Sequence, residues 1–440
     1  MADVTNLRSP AEAGLSKLFE TARRSFASDT TIAREEAFRF FEATGLPSRR
    51  VEAFKYTDLR AAITDVAPPA EAPSLDAARA AVARAVGFDG IEAARLTFVN
   101  GHLVRELSDL AAIPDGVRVT PLNEALTNGD VVLAQLAPVP QARENPVYQL
   151  NTAFLADGAV ISVAAGAKPA RPIHLRFVGS GDAPFSTATR VLVQLGEGAE
   201  FSLLESHEGP DQLTCQPNDA LDVVVGPQAV FRHTRLNKEG DATIALSTLS
   251  LKVDTEAQVE TVNLVTGAVL SRHQIYVHVA GDDTNVVVNG AAMLRNGQLA
   301  DSTLLADHAA VGGVGREQFK WIIDGDATGV FQGKIIVRQV AQKTDGKMKS
   351  DCLLLTDEGQ MMNKPELEIF ADDVACGHGA TCGAPDPDLL FYLMARGLPR
   401  AIAESLLVQA FVGEAVESVT HEGARAALIG EIEAWLRARG

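Results

Sequence analysis

Aromatic side chains make up only 5% of this 440-residue chain, and there are four cysteines. No apolar run approaches the ~20 residues that a membrane-spanning helix requires. Cys215, Cys352, Cys376 and Cys382 are too few and too scattered for a disulfide framework, so the expected setting is a reducing cytoplasm with free thiols. Positive charge is also scarce. Lys and Arg total 39 against 57 Asp and Glu, a formal charge of −18. An acidic surface repels phosphate backbones and anionic headgroups, which argues against nucleic acid and membrane surfaces as partners. The N-terminal stretch MADVTNLRSPAEAGLSKLFE has neither the basic start nor the apolar stretch of a secretion signal. Several motifs are missing too. There is no GxxxxGK[ST]: GVFQGK (329–334) has the lysine without the spacing or the hydroxyl. VGGVG (311–315) lacks the strand–GxGxxG–helix setting, and HExxH, GxSxG and CxxC do not occur.

What is present changes character twice along the chain. Residues 7–44 read as a helix pair, with Leu15, Leu18, Phe19 and Ala22 on one face and Ile32, Ala33, Phe38, Phe40 and Phe41 on another, closed by Gly45 and Pro47. APPAEAP (67–73) reads as a linker, and Ser74 as the cap of a short helix through DAARAAVARAV. From about 96 to 376 the helical period mostly gives way to short apolar strands: 190–195, 221–225, 249–253, 274–279, 285–288 and 334–340. Turn formers precede a small residue at Ala199, Ala229, Ala257, Thr284 and Thr328, spaced 30, 28, 27 and 44 residues apart. Repeated short strands filled by Val, Ile, Leu and Ala predict a solenoid of stacked coils rather than a sandwich or barrel. Helix returns near 386, where Asp386 and Pro387 form a cap and first turn, Gly397 a stop and Pro399 a restart. Ile402, Leu406 and Ala410 share one face, Leu407 and Phe411 another, and Leu428, Ile432, Trp435 and Leu436 form a stripe. These faces predict packing against the solenoid end and one another, or else a partner surface. The expected division is a helical region with linker over 1–95, a solenoid core over 96–383 and a helical region over 384–440.

One short stretch concentrates chemistry. ADDVACGHGATCG (371–383) holds Cys376, His378 and Cys382. Thiolate and imidazole suit iron, zinc and iron–sulfur clusters. On an extended strand Cys376 and His378 point the same way, while Cys382 is expected beyond a turn. Such a segment cannot complete a four-coordinate site, so a second chain or another coil would supply the rest. The alternative is a glycine-rich corner with a buried thiol. His233, His273, His278 and His308 read as hydrogen-bonded structural histidines, and Cys352 as core. The lysines of QKTDGKMK (342–349) read as a solvated edge that blocks strand addition, and Asp372 and Asp373 as capping or solvated acids.

PELEIFADDVACGHGATCGAPDPDLLFYLMARG (365–397) closely resembles the C-terminal signature of the SufB/SufD family of SUF iron–sulfur cluster assembly proteins. RRVEAFKYTDLR (49–60) and FVNGHLV (98–104) resemble further family segments, so the resemblance spans nearly the whole chain. It is strongest to the SufD branch. Where SufB-type chains carry a cysteine in the strand before the LEI segment, this chain has Gly359, and the usual serine between cysteine and histidine is Gly377. The resemblance implies a right-handed parallel β-helix between N-terminal and C-terminal helical regions. It implies a non-catalytic scaffold subunit that binds no nucleotide itself. A SufC-type ATPase would dock on the C-terminal helices (about 386–420), and a SufB-type scaffold at the β-helix end near His378. His378 matches a histidine implicated in cluster formation and iron supply, and Cys376 is its neighbour in the motif. The implied cargo is transient iron or an iron–sulfur cluster shared with SufB. Cys382 is a departure from the pattern. The competing expectations are a stand-alone SufB-like scaffold, a homodimer in the absence of SufB, and a β-helix enzyme acting on polysaccharide. The last is disfavoured by the scarcity of aromatics and the lack of a secretion signal.

Overall fold

The computed structural model describes residues 8–26, 28–129 and 138–439; Met1–Leu7, where the expected helix pair begins, lie outside the described residues. In chain order the strands are β1 (Ala94–Val99), β2 (His102–Leu103), β3 (Val117–Pro121), β4 (Asp157–Val163), β5 (Ile173–Val178), β6 (Phe185–Leu195), β7 (Glu200–Glu208), β8 (Cys215–Val225), β9 (Val230–Lys238), β10 (Ile244–Val253), β11 (Gln258–Val265), β12 (Leu270–Val279), β13 (Asn285–Leu294), β14 (Leu299–His308), β15 (Val314–Ile323), β16 (Thr328–Val337), β17 (Asp345–Leu354), β18 (Gln360–Ile369) and β19 (Gly377–Gly383). The helices are α1 (Pro10–Ala22), α2 (Ser28–Thr44), α3 (Leu59–Ala62), α4 (Leu75–Val82), α5 (Leu122–Thr127), α6 (Pro140–Arg143), α7 (Pro146–Phe154), α8 (Pro387–Ala395), α9 (Arg400–Val416) and α10 (Glu422–Arg439).

From β4 onward successive strands alternate between two sheets. Each pairs in parallel with the strand two places on, 26 to 32 residues later. The result is the expected parallel β-solenoid. Among the described residues, antiparallel pairs, β1 with β2 and β3 with β4, occur only at its start. Because pairing is parallel and in register, residues one coil apart stack in columns, as in Val225–Val253–Val279. These apolar columns form the long core between the sheets. Fully burying each Val or Leu contributes about 1.5–3 kcal/mol.

One corner of every coil repeats a single device. Gly198, Gln228, Glu256, Asp283, Gly312 and Lys343 all lie in the left-handed region, with φ from 52° to 73°. Each N–H donates to a carbonyl of the next coil, at Pro227, Thr255, Asp282, Val311, Gln342 and Asp373, over 2.6–2.9 Å. The residue that follows turns inward and is small: Ala199, Ala229, Ala257, Thr284, Gly313 and Thr344. Thr328, fifth in the repeat expected from the sequence, does not belong to this series. Thr328 opens β16, which belongs to the other sheet, and the true members Gly313 and Thr344 bring every spacing to between 27 and 31 residues.

Helices cover the outer faces of both sheets. On one side, Phe19 of α1 stacks on Phe38 of α2 at 3.9 Å between ring centroids, and both pack with α7 against outward residues of β10 and β12, Leu246 and Leu270. Phe41 joins this face, whereas Ile32 is exposed. The segment 48–60 is pinned to the same sheet, with the Arg272 guanidinium 3.9 Å over the Phe54 ring. On the other side, Val408, Val412, Ala415 and Val416 of α9, with the expected α10 stripe of Leu428, Ile432, Trp435 and Leu436, bury Leu236, Val262, Leu264 and Met293. Helices α5 to α7 fall where the sequence suggested mostly strand. Asn145 caps α7 by accepting from the Val147 N–H at 2.9 Å. No helix among the described residues is long and apolar enough to cross a membrane.

A larger side chain at the inner corner has nowhere to go. Ala257→Leu is expected to lower stability by about 1–3 kcal/mol. Gln228→Gly, which relieves a left-handed L-residue, should leave it unchanged or raise it. Urea denaturation midpoints compare the two; a neutral Ala257→Leu would contradict the packing described.

Candidate functional site

The residues of CGHGATC lie on the last coil. Among the described residues β19 pairs only with β17, and β18 only with β16, so both are edge strands and the solenoid end is open. Register places His378 over Met348, Ala380 over Ser350 and Cys382 over Cys352. Met348, Ser350 and Cys352 are buried, core-facing residues, so His378 and Cys382 also lie on the core-facing side. No coil follows to cover them, and both are exposed. The His378 ring has no hydrogen-bond partner among the described residues. Cys376, just before β19, is half-buried beside Gly346; a Cβ on that glycine would come 3.5 Å from its Sγ. Burial raises the Cys376 thiol, opposed by the Gly346 N–H that hydrogen-bonds to it, so in the free chain it is a thiol rather than a thiolate.

Cys376 and His378 are therefore adjacent and accessible. Cys382 is not beyond a turn, as the sequence suggested, but further along the same strand. Four residues of extended chain put it ~13 Å from His378, too far to share one ion. Among the described residues no group of three or more His, Cys, Asp or Glu is placed to hold a metal ion. Asp373 pairs with Lys343, and Asp372 is exposed. The lysines of 342–349 do not guard an edge: β17 has neighbours on both sides, and Lys347 and Lys349 pair with Asp345 and Asp351 at 3.5 and 3.0 Å. Gly359 lies in the turn before β18 rather than in a strand.

Of the other histidines, His233, His273 and His308 are interior and His278 is half-buried. His233 bonds Thr261 and Glu205, each at 3.0 Å, His273 bonds Ser247 at 2.8 Å, and His278 bonds Asp307 at 3.3 Å. His308 departs from expectation: its Nδ1 is buried without a partner, and burial lowers the imidazole to about 4. The sequence reading missed a buried charged cluster altogether. Glu205 accepts from Arg235 at 2.8 Å and contacts His207 at 2.5 Å as well as His233. Burial works against the Glu205 charge, but these partners hold its carboxyl well below the usual range. The signal was available: Glu205 and His207 continue the inward alternation of Phe201 and Leu203.

A second exposed feature lies on the C-terminal helices. Asp386 caps α8 by accepting from the Asp388 N–H at 2.8 Å. Leu389, Phe391, Tyr392 and Met394 of α8 and Ile402 and Leu406 of α9 then face solvent. The Ile402–Leu406 face is thus left open to solvent among the described residues, unlike the opposite face of α9.

Comparison with known proteins agrees along the chain. The family model described as SUF system FeS cluster assembly, SufBD core domain, matches residues 177–411, and the SufBD protein N-terminal region matches residues 11–175. An iron–sulfur cluster assembly SufBD family protein of Synechocystis sp. is 30% identical, over 92% of this chain and 91% of its own. The Escherichia coli iron–sulfur cluster assembly protein SufD is 28% identical, over 88% and 89%. The chloroplastic protein ABCI7 of Arabidopsis thaliana is 33% identical, over 61% and 58%.

Two positions below His378 in its column sits Glu317, buried, with Oε2 unpartnered. Burial pushes this carboxyl from 4.5 up to about 8. Between those values the folded state keeps a proton that the unfolded chain has lost. Its contribution is fully present at the acid end and is lost as pH rises, by up to about 1.4 kcal/mol per pH unit. Glu317→Gln removes this slope. Urea midpoints of variant and parent should nearly coincide at the acid end of the window and separate above it, with the variant more stable; a constant gap would contradict the assignment.

Proposed function

Since the chain belongs to the SufBD family of iron–sulfur cluster assembly proteins, we propose that it is a SufD-type scaffold subunit of a SUF complex in the cytoplasm. It is non-catalytic and binds no nucleotide; ATP hydrolysis belongs to a SufC-type partner. A SufB-type scaffold docks at the open solenoid end, and iron or a nascent cluster is cargo held between the two chains. His378 and Cys376 are this chain's ligands toward that cargo. In the absence of SufB the same end pairs with a second copy of this chain. The division of labour follows the three regions: 1–95 braces the trunk, 96–383 presents the cargo site, and 384–440 receives the ATPase.

The observation that carries this reading is the position of His378, core-facing yet uncovered because its coil is the last. A partner that adds a coil closes the space above it and supplies the missing ligands. The unpaired edges of β18 and β19 give such a partner backbone groups to bond. Exposed Phe391, Tyr392 and Ile402 support a second docking surface, since exposed apolar and aromatic side chains make interface anchors. Nucleotide-driven movement of the two ATPase subunits, passed through α8 and α9, shifts one trunk against the other and opens His378 to iron.

Two experiments test the reading. His378→Ala, co-expressed with its partners, should assemble normally yet yield several-fold less iron and acid-labile sulfide; full cluster output from an intact complex overturns the ligand role. Phe391→Asp combined with Ile402→Asp should weaken binding of the ATPase by about tenfold or more without changing the circular dichroism spectrum. Unchanged affinity places the ATPase elsewhere.

A further inference from the structure

Cys352 and Cys382 stand directly opposite each other in register on β17 and β19, both on the core-facing side. Cys352 is buried and Cys382 is exposed, because only Cys382 lacks a coil above it. Neighbouring strands run ~4.8 Å apart, within the Cα separation of about 4.4–6.8 Å found in disulfides. β19 has no neighbour on its outer side and is free to move the small distance that bonding requires. The two thiols already interact: burial first, then the charge and hydrogen bond of Cys382, push the Cys352 thiol up. The remaining cysteines are poor rivals. Cys376 lies six residues up the chain from Cys382, ~20 Å along an extended strand, and Cys215 is buried on β8 in the other sheet.

We propose that Cys352 and Cys382 form a reversible redox modification site, in which a peroxide converts the pair to a disulfide that staples the terminal strand β19 to β17. The exposed Cys382 thiolate attacks a peroxide oxygen, the O–O bond breaks, and the departing hydroxide is protonated to water. Cys382 is now a sulfenic acid. The Cys352 sulfur attacks the Cys382 sulfur and the S–O bond breaks. The hydroxyl leaves with the Cys352 proton as a second water. Two thiols are oxidised and one hydrogen peroxide is reduced to two waters. Because burial makes Cys352 a weak nucleophile, the second step is the slow one, and the sulfenic acid at Cys382 accumulates before the disulfide. The stapled strand is the one that leads into α8 and carries His378, so oxidation fixes the open end of the trunk. The chemistry belongs to the uncovered end of the free trunk, where Cys382 is exposed; a docked partner would shield it from peroxide.

The test uses the reduced full-length chain treated with equimolar hydrogen peroxide. The expected product is lighter by two hydrogens, gives a Cys352–Cys382 cross-linked peptide on digestion, and returns to the dithiol with dithiothreitol. Dimedone added early should trap Cys382. Amide exchange across β19 should slow several-fold in the oxidised form. Cys382→Ser, at an exposed position that tolerates change, should abolish the cross-link and the exchange effect, while Cys376→Ser should retain both. A disulfide between any other pair, or oxidation that halts at sulfinic acid on Cys382 with Cys352 still free, overturns the proposal.

Discussion

Parallel, in-register stacking governs nearly everything in this structure. Each interior side chain is covered by the residue one coil later and rests on the residue one coil earlier. One column reads Leu203, His233, Thr261, Val288, Glu317, Met348 and His378. Every member but the last has a lid. The exposure of His378 is therefore not a local property of the CGHGAT stretch. It follows from where the stacking stops, and moving the same hexapeptide one coil inward would bury its imidazole as His233 is buried.

The same rule explains how charge survives inside a narrow core. Within one coil a buried carboxylate such as Glu205 would have only His207 beside it. Stacked, it meets Arg235 directly above and His233 diagonally, while Arg235 donates onward to Asn263 at 3.0 Å. Removing one partner from a buried charged set typically costs about 3–5 kcal/mol, so the cluster ties three successive coils to one another. Further along, Phe319 and Phe331 pack at 4.6 Å on a coil that also buries Glu317, and Trp321 donates to Ser350 at 3.1 Å near the open end. Polar and apolar residues thus share the same coils, and register errors between coils would leave charges unpaired.

How much of this could be read from the sequence depends on the range of the interaction. Strand runs such as 249–253 and 274–279 were legible because their apolar pattern is local, and all six quoted runs lie in strands, with 334–340 overrunning β16 by three residues. The caps at Ser74 and Asp386 were legible for the same reason. The coil repeat was only half legible. Its corner demands a conformation and a small volume rather than a residue type, so Gln228, Glu256, Asp283 and Lys343 fill equivalent places without sharing a motif. α7 was hidden because its buried face, including Tyr148 and Asn151, is set by the sheet beneath it: Tyr148 donates to Asp222 at 2.9 Å and Asn151 to the Thr189 carbonyl at 2.9 Å. At the site, Cys376 and His378 were legible as candidates from type and spacing, whereas the pairing of Cys352 with Cys382 spans 30 residues and exists only through strand register.

The two strands at the open end are guarded unequally, and the difference bears on what the end is for. β18 carries Lys364, Glu366 and Glu368, and its lysine is engaged by Glu52 and by Glu366 at 3.1 Å. Charges of this kind on an edge discourage pairing with a stray strand. β19 reads GHGATCG, with no Lys, Arg, Asp or Glu, no proline and little side-chain bulk. A bare edge of that sort invites aggregation unless something covers it. Glycines at Gly377, Gly379 and Gly383, with open space around each, let another backbone approach closely on this side. An exposed imidazole, an unguarded edge and an accessible thiol at the tip of one trunk share a cause: a coil that finishes nothing by itself. A second chain adding the next coil would cover all three at once, which is the economy expected of a site divided between two subunits.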